Sequence, residues 1–162
     1  LVSDLLNSTR FEQLESRPAN IHDVLDEALA QARDRIELNH IKVEKHYEDN
    51  ICEIMLDKDK IRLAFLNIIV NAIEAMEKDS GVLKITTIKQ GNKCLVEFSD
   101  NGTGMDEETL QNLFEPYFTR KIKGNGLGLT NTQNIILNHK GNISVRSGIG
   151  HGSSFIVTLG LG

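Results

Sequence analysis

The pattern of apolar and polar positions divides the chain into alternating helical and strand-like runs. Val24, Leu25, Ala28, Leu29, Ala32 and Ile36 recur at three- and four-residue intervals, one helical stripe ending near Ile36. Its start is marked by Arg17-Pro18, which disfavours helix, and by Asn20 as N-cap with Asp23 in the first turn. The runs Ile41 to Glu48 and Ile51 to Leu56 flank Asp49-Asn50, turn chemistry that predicts a hairpin. Lys58 to Glu77 holds no Gly or Pro and is apolar around most of its circumference, as expected of a helix pressed against a sheet.

Two further runs, Val82 to Ile88 and Cys94 to Ser99, alternate about Gly91-Asn92 and predict a second hairpin with Cys94, Val96 and Phe98 on one side. After a glycine-rich stretch, Leu127 to His139 reads as a helix stopped by Gly141, and Ile143 to Ser147 and Ser154 to Leu159 as two last strands. Helices interleaved with antiparallel strands predict an α/β (α+β) two-layer sandwich. Its mixed, mostly antiparallel sheet is covered on one face by about three helices.

Composition narrows the function classes. A chain of 162 residues, 40% hydrophobic and 25% charged, suits one domain with a tail. A net charge of -5 and only eight aromatic residues (6 Phe, 2 Tyr, no Trp) argue against nucleic acid as a partner. Cys52 and Cys94 have no C-x-x-C or metal-ligand spacing and read as reduced core thiols of a cytosolic protein. No run reaches the roughly 18 to 20 apolar residues needed to span a bilayer, so a soluble, cytoplasmic piece is expected. Leu1 to Leu14, with Val2, Leu5, Leu6 and Thr9 near one face, reads as the middle of a helix in an excised fragment.

The chemistry concentrates in four places. Asn67, Asn71 and Glu74, spaced by four and three, stack on one face of the apolar helix. They suit either an interhelical hydrogen bond or, through the Asn71 amide oxygen, a ligand for Mg2+, which prefers hard oxygen donors. Asp100 ends a strand and opens Asp100-Asn101-Gly102-Thr103-Gly104-Met105, where an ionised carboxylate can accept from an exocyclic amine such as that of adenine. An ordinary Asp-Gly turn is the plainer alternative.

Phe114-Glu115-Pro116-Tyr117-Phe118 anchors the basic, glycine-containing segment Thr119 to Gly126, which has the character of a lid carrying Arg120, Lys121 and Lys123. Gly124-Asn125-Gly126-Leu127-Gly128-Leu129 opens into a helix, offering backbone N–H groups and a positive helix end to phosphate. It is neither a Walker A loop nor a dinucleotide fingerprint.

These segments, with the asparagine stretch Asn67 to Ala72 and Gly150-His151-Gly152-Ser153-Ser154-Phe155, resemble in order the asparagine, phenylalanine and three glycine boxes of histidine kinases. The resemblance covers about Ile41 to Leu159. It implies the Bergerat-type ATP-binding fold shared with gyrase, the Hsp90 chaperones and MutL-type repair proteins, with ATP and Mg2+ as cofactors.

It further implies Asn71 as the Mg2+ ligand, Asn67 beside it, Asp100 as the adenine contact and Gly102, Gly104, Gly126 and Gly128 as points of backbone approach. Ser153 or Ser154 closes the adenine pocket, and Arg120 and Lys121 are the first choices for neutralising phosphate. Glu74, Ala75, Met105, Phe114, Phe118, Lys123, Gly124, Leu127 and Leu129 complete the nucleotide's surroundings by the same resemblance. Many family members carry a cation where this chain has Glu74, which shifts that task to the metal and the lid.

The hydrolytic relatives carry a glutamate four residues before the metal-binding asparagine; Asn67 stands there and cannot act as a carboxylate base, which favours transfer. The implied activity is a protein-histidine kinase of a two-component system, passing the γ-phosphate to a histidine for relay to a response regulator. Residues 1–17 would end a dimerising phosphoacceptor hairpin of a parent that the resemblance allows to be membrane-anchored, and 18–162 would form the catalytic domain. None of His22, His40, His46, His139 and His151 has the acceptor's setting. The alternatives are a serine kinase of the anti-sigma type on the same fold and a nucleotide-independent docking module.

Overall fold

A computed structural model describes residues 14–51, 53–115 and 128–161. Strand β1 (Arg17–Ala19) leads into helix α1 (Ile21–Gln31), whose N-cap Asn20 accepts from the His22 amide at 2.8 Å. The predicted stripe does not run unbroken to Ile36. At Ala32 (φ -95, ψ 4) it ends α1 and starts the short α2 (Arg33–Leu38), with Ala32 still buried against the core. Strands β2 (Lys42–Tyr47) and β3 (Ile54–Leu56) precede α3 (Lys58–Ala75); β4 (Val82–Gln90), β5 (Lys93–Asp100), α4 (Glu107–Asn112), α5 (Gly128–Asn138), β6 (Asn142–Ser147) and β7 (Ser153–Gly160) follow.

The main sheet has the order β2-β4-β5-β7-β6, with β2 parallel to β4 and all other neighbours antiparallel. Period-two alternation decides its faces: Leu83, Ile85, Cys94, Val96, Phe98, Phe155, Val157 and Leu159 are buried beneath α1, α3 and α5. Burial pushes the Cys94 thiol up to about 11, so it sits in the core as a protonated small hydrophobe. The expected sandwich is therefore present, with helices over one face.

Helix α3 organises the core. Asp57 caps its start by accepting from the Lys60 amide at 3.3 Å, and Ile61, Ala64, Phe65, Ile68, Ile69, Ala72 and Ile73 bury two sides of it. The Phe65 ring meets Phe98 on β5 at 5.4 Å. This double burial, against the sheet and between α1 and α5, explains why the sequence shows apolar residues all round it.

The first predicted hairpin is absent: β2 runs parallel to β4, and β3 pairs antiparallel with β1 in a separate two-stranded ribbon. Past Tyr47 the chain stays along β4, the Glu48 amide donating to Thr87 Oγ1 at 2.9 Å and the Glu48 carboxylate accepting from the Lys89 amide. A parallel pair needs a crossover, and β3 and α3 supply it. The second hairpin is present, turning on Gly91 at φ 62.

Helix α5 ends as predicted near His139, but the left-handed residue is Lys140 (φ 60). Gly141 meets a different demand, since a Cβ there would lie 2.4 Å from the Thr158 carbonyl oxygen. Cys52 lies outside the described residues, as does Leu1–Gln13 of the proposed hairpin end; Arg17 already belongs to β1.

Candidate nucleotide site

The site is assembled where β5 and β6 end and β7 begins, beside the last turn of α3. The carboxylate of Asp100 is buried at the end of β5, one Oδ1 accepting from the Gly102 amide at 2.9 Å. Ser153 is its register partner on β7 and shares its face, so both point beneath the helices. Ser154 pairs with Ser99 on the opposite face, where the two hydroxyls meet at 3.2 Å. Of the two serines expected beside the base, the pleat brings Ser153 to Asp100 and turns Ser154 away.

Residues 101–105 are held from three sides. The Asn101 side chain accepts from the Val82 amide at 2.8 Å and donates to the Ser80 carbonyl at 3.0 Å, tying the loop to the segment after α3. The Thr103 amide donates to the Ala75 carbonyl at 3.0 Å. The Gly150 amide donates to the Thr103 carbonyl at 2.9 Å, bringing in the β6–β7 turn.

The glycines fit this interlock. A Cβ on Gly102 would sit 2.4 Å from the Ala75 oxygen. Gly104 (φ 75) and Gly152 (φ 72) adopt left-handed backbone, and their added Cβ atoms would lie 2.0 Å from the carbonyl oxygens of Gly148 and Asp100. Met105 is buried, and its amide donates to Ser147 Oγ at 2.8 Å.

On α3, Ala75 sits four residues beyond Asn71, one turn along the same face, so the Ala75–Thr103 contact places Asn71 about 5 to 6 Å along the helix from the Asp100 loop. Asn71 is half-buried, and its side chain makes no hydrogen bond among the described residues, which leaves the amide oxygen available to a ligand. Glu74 is exposed.

Asn67 is otherwise engaged: its Nδ2 donates to the Gly128 carbonyl at 3.2 Å and to Thr132 Oγ1 at 3.1 Å, while Thr132 Oγ1 donates to that carbonyl at 2.8 Å. It pins the first turn of α5 to α3, the interhelical reading of the polar stripe. The far end of α5 is tied as well. His139 Nδ1 donates to the Ile135 carbonyl at 2.8 Å, and Nε2 accepts from the Asp57 amide at 3.0 Å. Burial holds this imidazole below its usual pKa, in keeping with a neutral acceptor.

Phe114 is half-buried, and its carbonyl accepts from Thr130 Oγ1 at 2.8 Å; Gly128 and Leu129 begin α5. Phe118, Arg120, Lys121, Lys123, Gly124, Gly126 and Leu127 lie outside the described residues.

Residues 56–162 match the family profile described as histidine kinase-, DNA gyrase B-, and HSP90-like ATPase. The chain belongs to this ATPase family. Over 162 residues it is 32% identical to Sporulation kinase C of Bacillus subtilis (strain 168), matching 99% of this chain and 38% of that protein. It is 31% identical over 159 residues to the sensor histidine kinase ZraS of Escherichia coli (strain K12), covering 98% of this chain and 34% of that one. The chain thus spans little more than a third of these curated relatives.

Among solved structures, the catalytic domain of histidine kinase ThkA superposes with a TM-score of 0.82 at 27% identity, over 91% of this chain and 97% of that one. ThkA in complex with the response regulator protein TrrA gives 0.82 at 25%, over 99% and 46%. Within the ATPase family, then, this is a nucleotide-using catalytic domain of the histidine kinase type.

Sequence reasoning gave no separate role to Asn101 or Ser147. Asn101 lay inside a recognised motif, so a role was open to inference from an amide beside an Asp-Gly turn. Ser147 is one serine at the end of a strand and carries no local signal.

Proposed function

We propose that this domain binds Mg-ATP at the Asp100–Asn71 site and gives the γ-phosphoryl group to a histidine on a helical hairpin of its parent protein, for relay to a response regulator. The observation that carries this reading is the buried Asp100 carboxylate, locked by its loop to the last turn of α3, one turn beyond Asn71. Asp100, as an acceptor-only group, suits the exocyclic amine of adenine, with Ser153 beside it.

The available, half-buried Asn71 amide fits Mg2+, a hard cation held through oxygen, and Asn71 is the residue that would hold it. When bound, the ion supplies charge neutralisation to the polyphosphate. Asn67 neither offers a carboxylate base nor has a free donor, its amide being committed to Gly128 and Thr132, which supports transfer over hydrolysis. Arg120 and Lys121 of the 119–126 segment are proposed to complete phosphate neutralisation, together with the backbone amides of Gly126 and of Gly128, the first residue of α5.

Residues ahead of β1 are proposed to continue into the dimerising hairpin. That would leave the fragment as donor domain and the acceptor elsewhere, since His22 is stacked on Tyr47 and His139 bridges two helices.

The test is phosphotransfer from γ-labelled ATP by the full-length parent protein. The label should be acid-labile and alkali-stable, as for phosphohistidine, and absent from Asn71→Ala. Acid-stable label would instead favour a serine kinase on this fold, and label persisting in Asn71→Ala would refute the metal role.

A further inference from the structure

The hydroxyl of Ser147, at the end of β6, meets three groups at once. It accepts from the Met105 amide at 2.8 Å, contacts Ser153 Oγ at 2.8 Å and lies 3.0 Å from the Gly152 carbonyl oxygen. A hydroxyl has one proton and two acceptor sites. The Gly152 carbonyl can only accept, so the Ser147 proton goes there, and both acceptor sites of Ser147 are left for Met105 N–H and Ser153 O–H. The proton count leaves Ser153 as the donor in the serine pair.

This has a consequence on the other side of Ser153. Its single proton is spent on Ser147, so to any further partner Ser153 offers lone pairs only. Its register partner Asp100 is a carboxylate, also acceptor-only when ionised. Both are buried, where an acceptor facing another acceptor is left unpaired at a cost. The pair therefore welcomes an amino edge and rejects a keto edge.

We infer that Ser147 is a positioning residue that holds Ser153 as an acceptor and thereby sets selectivity for a 6-amino purine over a 6-keto purine. The inference rests on the nucleotide reading of the Asp100 site. Neither hydroxyl need move: the selectivity lies in where one proton points, and Ser147 acts without touching the base.

The experiment is titration calorimetry of the chain with Mg-ADP and Mg-GDP, for wild type, Ser147→Ala, Ser147→Thr, Ser153→Ala and the double variant Ser147→Ala/Ser153→Ala. Ser147→Ala frees the Ser153 proton to serve a keto edge, so the GDP-to-ADP ratio of dissociation constants should shrink by about tenfold. Ser147→Thr, which keeps the hydroxyl, should restore the ratio. In the Ser153→Ala background, removing Ser147 should leave the ratio unchanged, because the effect passes through Ser153.

A ratio unchanged in Ser147→Ala, or equal weakening of both nucleotides, overturns the role of Ser147 while leaving the nucleotide site standing. A wild-type chain that binds neither nucleotide overturns both. Should Ser147→Ala fail to fold, loss of the wild-type ratio in Ser147→Thr decides against the inference.

Discussion

Replacing Gly102 by alanine separates two explanations of the glycines in this site. If they leave room for a nucleotide, the apoprotein should tolerate a methyl group there. The geometry says otherwise: the new Cβ would stand 2.4 Å from the Ala75 oxygen, 2.7 Å from its carbonyl carbon and 3.0 Å from its Cβ. Reaching ordinary contact requires a retreat of about 1 Å, against a helix end that is itself packed on the core. Overpacking of this kind costs roughly 1–3 kcal/mol. The Thr103–Ala75 hydrogen bond, 3.0 Å long and lost in the retreat, adds about 0.5–1.5 kcal/mol.

A total near 2–4 kcal/mol corresponds to a fall in Tm of roughly 5–15 °C for a domain of this size. Thermal denaturation of the nucleotide-free protein measures it. Gly91→Ala is the control, since its hairpin turn (φ 62) has nothing within 4 Å of the added Cβ. It should cost only the roughly 1–2 kcal/mol of a left-handed alanine and leave nucleotide affinity untouched. An unchanged apo Tm for Gly102→Ala, accompanied by lost nucleotide binding, would refute the interlock.

Two further outcomes follow from the helix contacts. Asn67→Ala removes the donor shared by Gly128 and Thr132 and should destabilise the chain by about 1–3 kcal/mol, read from denaturant midpoints; an unchanged midpoint contradicts the pinning role. His139 is held below its usual pKa, so as pH falls under about 6.5 the unfolded chain takes up a proton that the folded one resists. Stability contributed by the neutral ring is thus present above that pH and lost below it. His139→Gln, which keeps an acceptor for the Asp57 amide, should flatten the fall in Tm between about pH 7 and 5; an equally steep fall would show that His139 is not the titrating group.

Much of this was legible in the residues, for physical reasons that also explain what was not. Helix α3 and the β4–β5 hairpin announce themselves through local periodicity and turn chemistry, which the core then ratifies. The fate of β2 and β3 is non-local. Asp49-Asn50 looks like a hairpin turn, and only the hydrogen bonds of Glu48 along β4 show where the chain goes. The break at Ala32 is invisible for a similar reason, because the buried side of the stripe continues through it.

At the site, Asp100 and Asn71 stand out by residue type and spacing, whereas Ser147 and the committed amide of Asn67 acquire meaning only from partners 5 to 65 residues away. Choosing Ser153 over Ser154 needed the register with Asp100.

One site, carrying Asp100 and Asn71, is proposed to bind a nucleotide together with its metal. Titration of the chain with ADP, in the presence and absence of Mg2+, tests it most directly when wild type and Asn71→Ala are run side by side. Saturable binding of one ADP per wild-type chain, tightened by Mg2+, is expected, with that tightening lost and metal-free binding retained in Asn71→Ala. No binding by the wild type, or the same Mg2+ effect in both proteins, would contradict it.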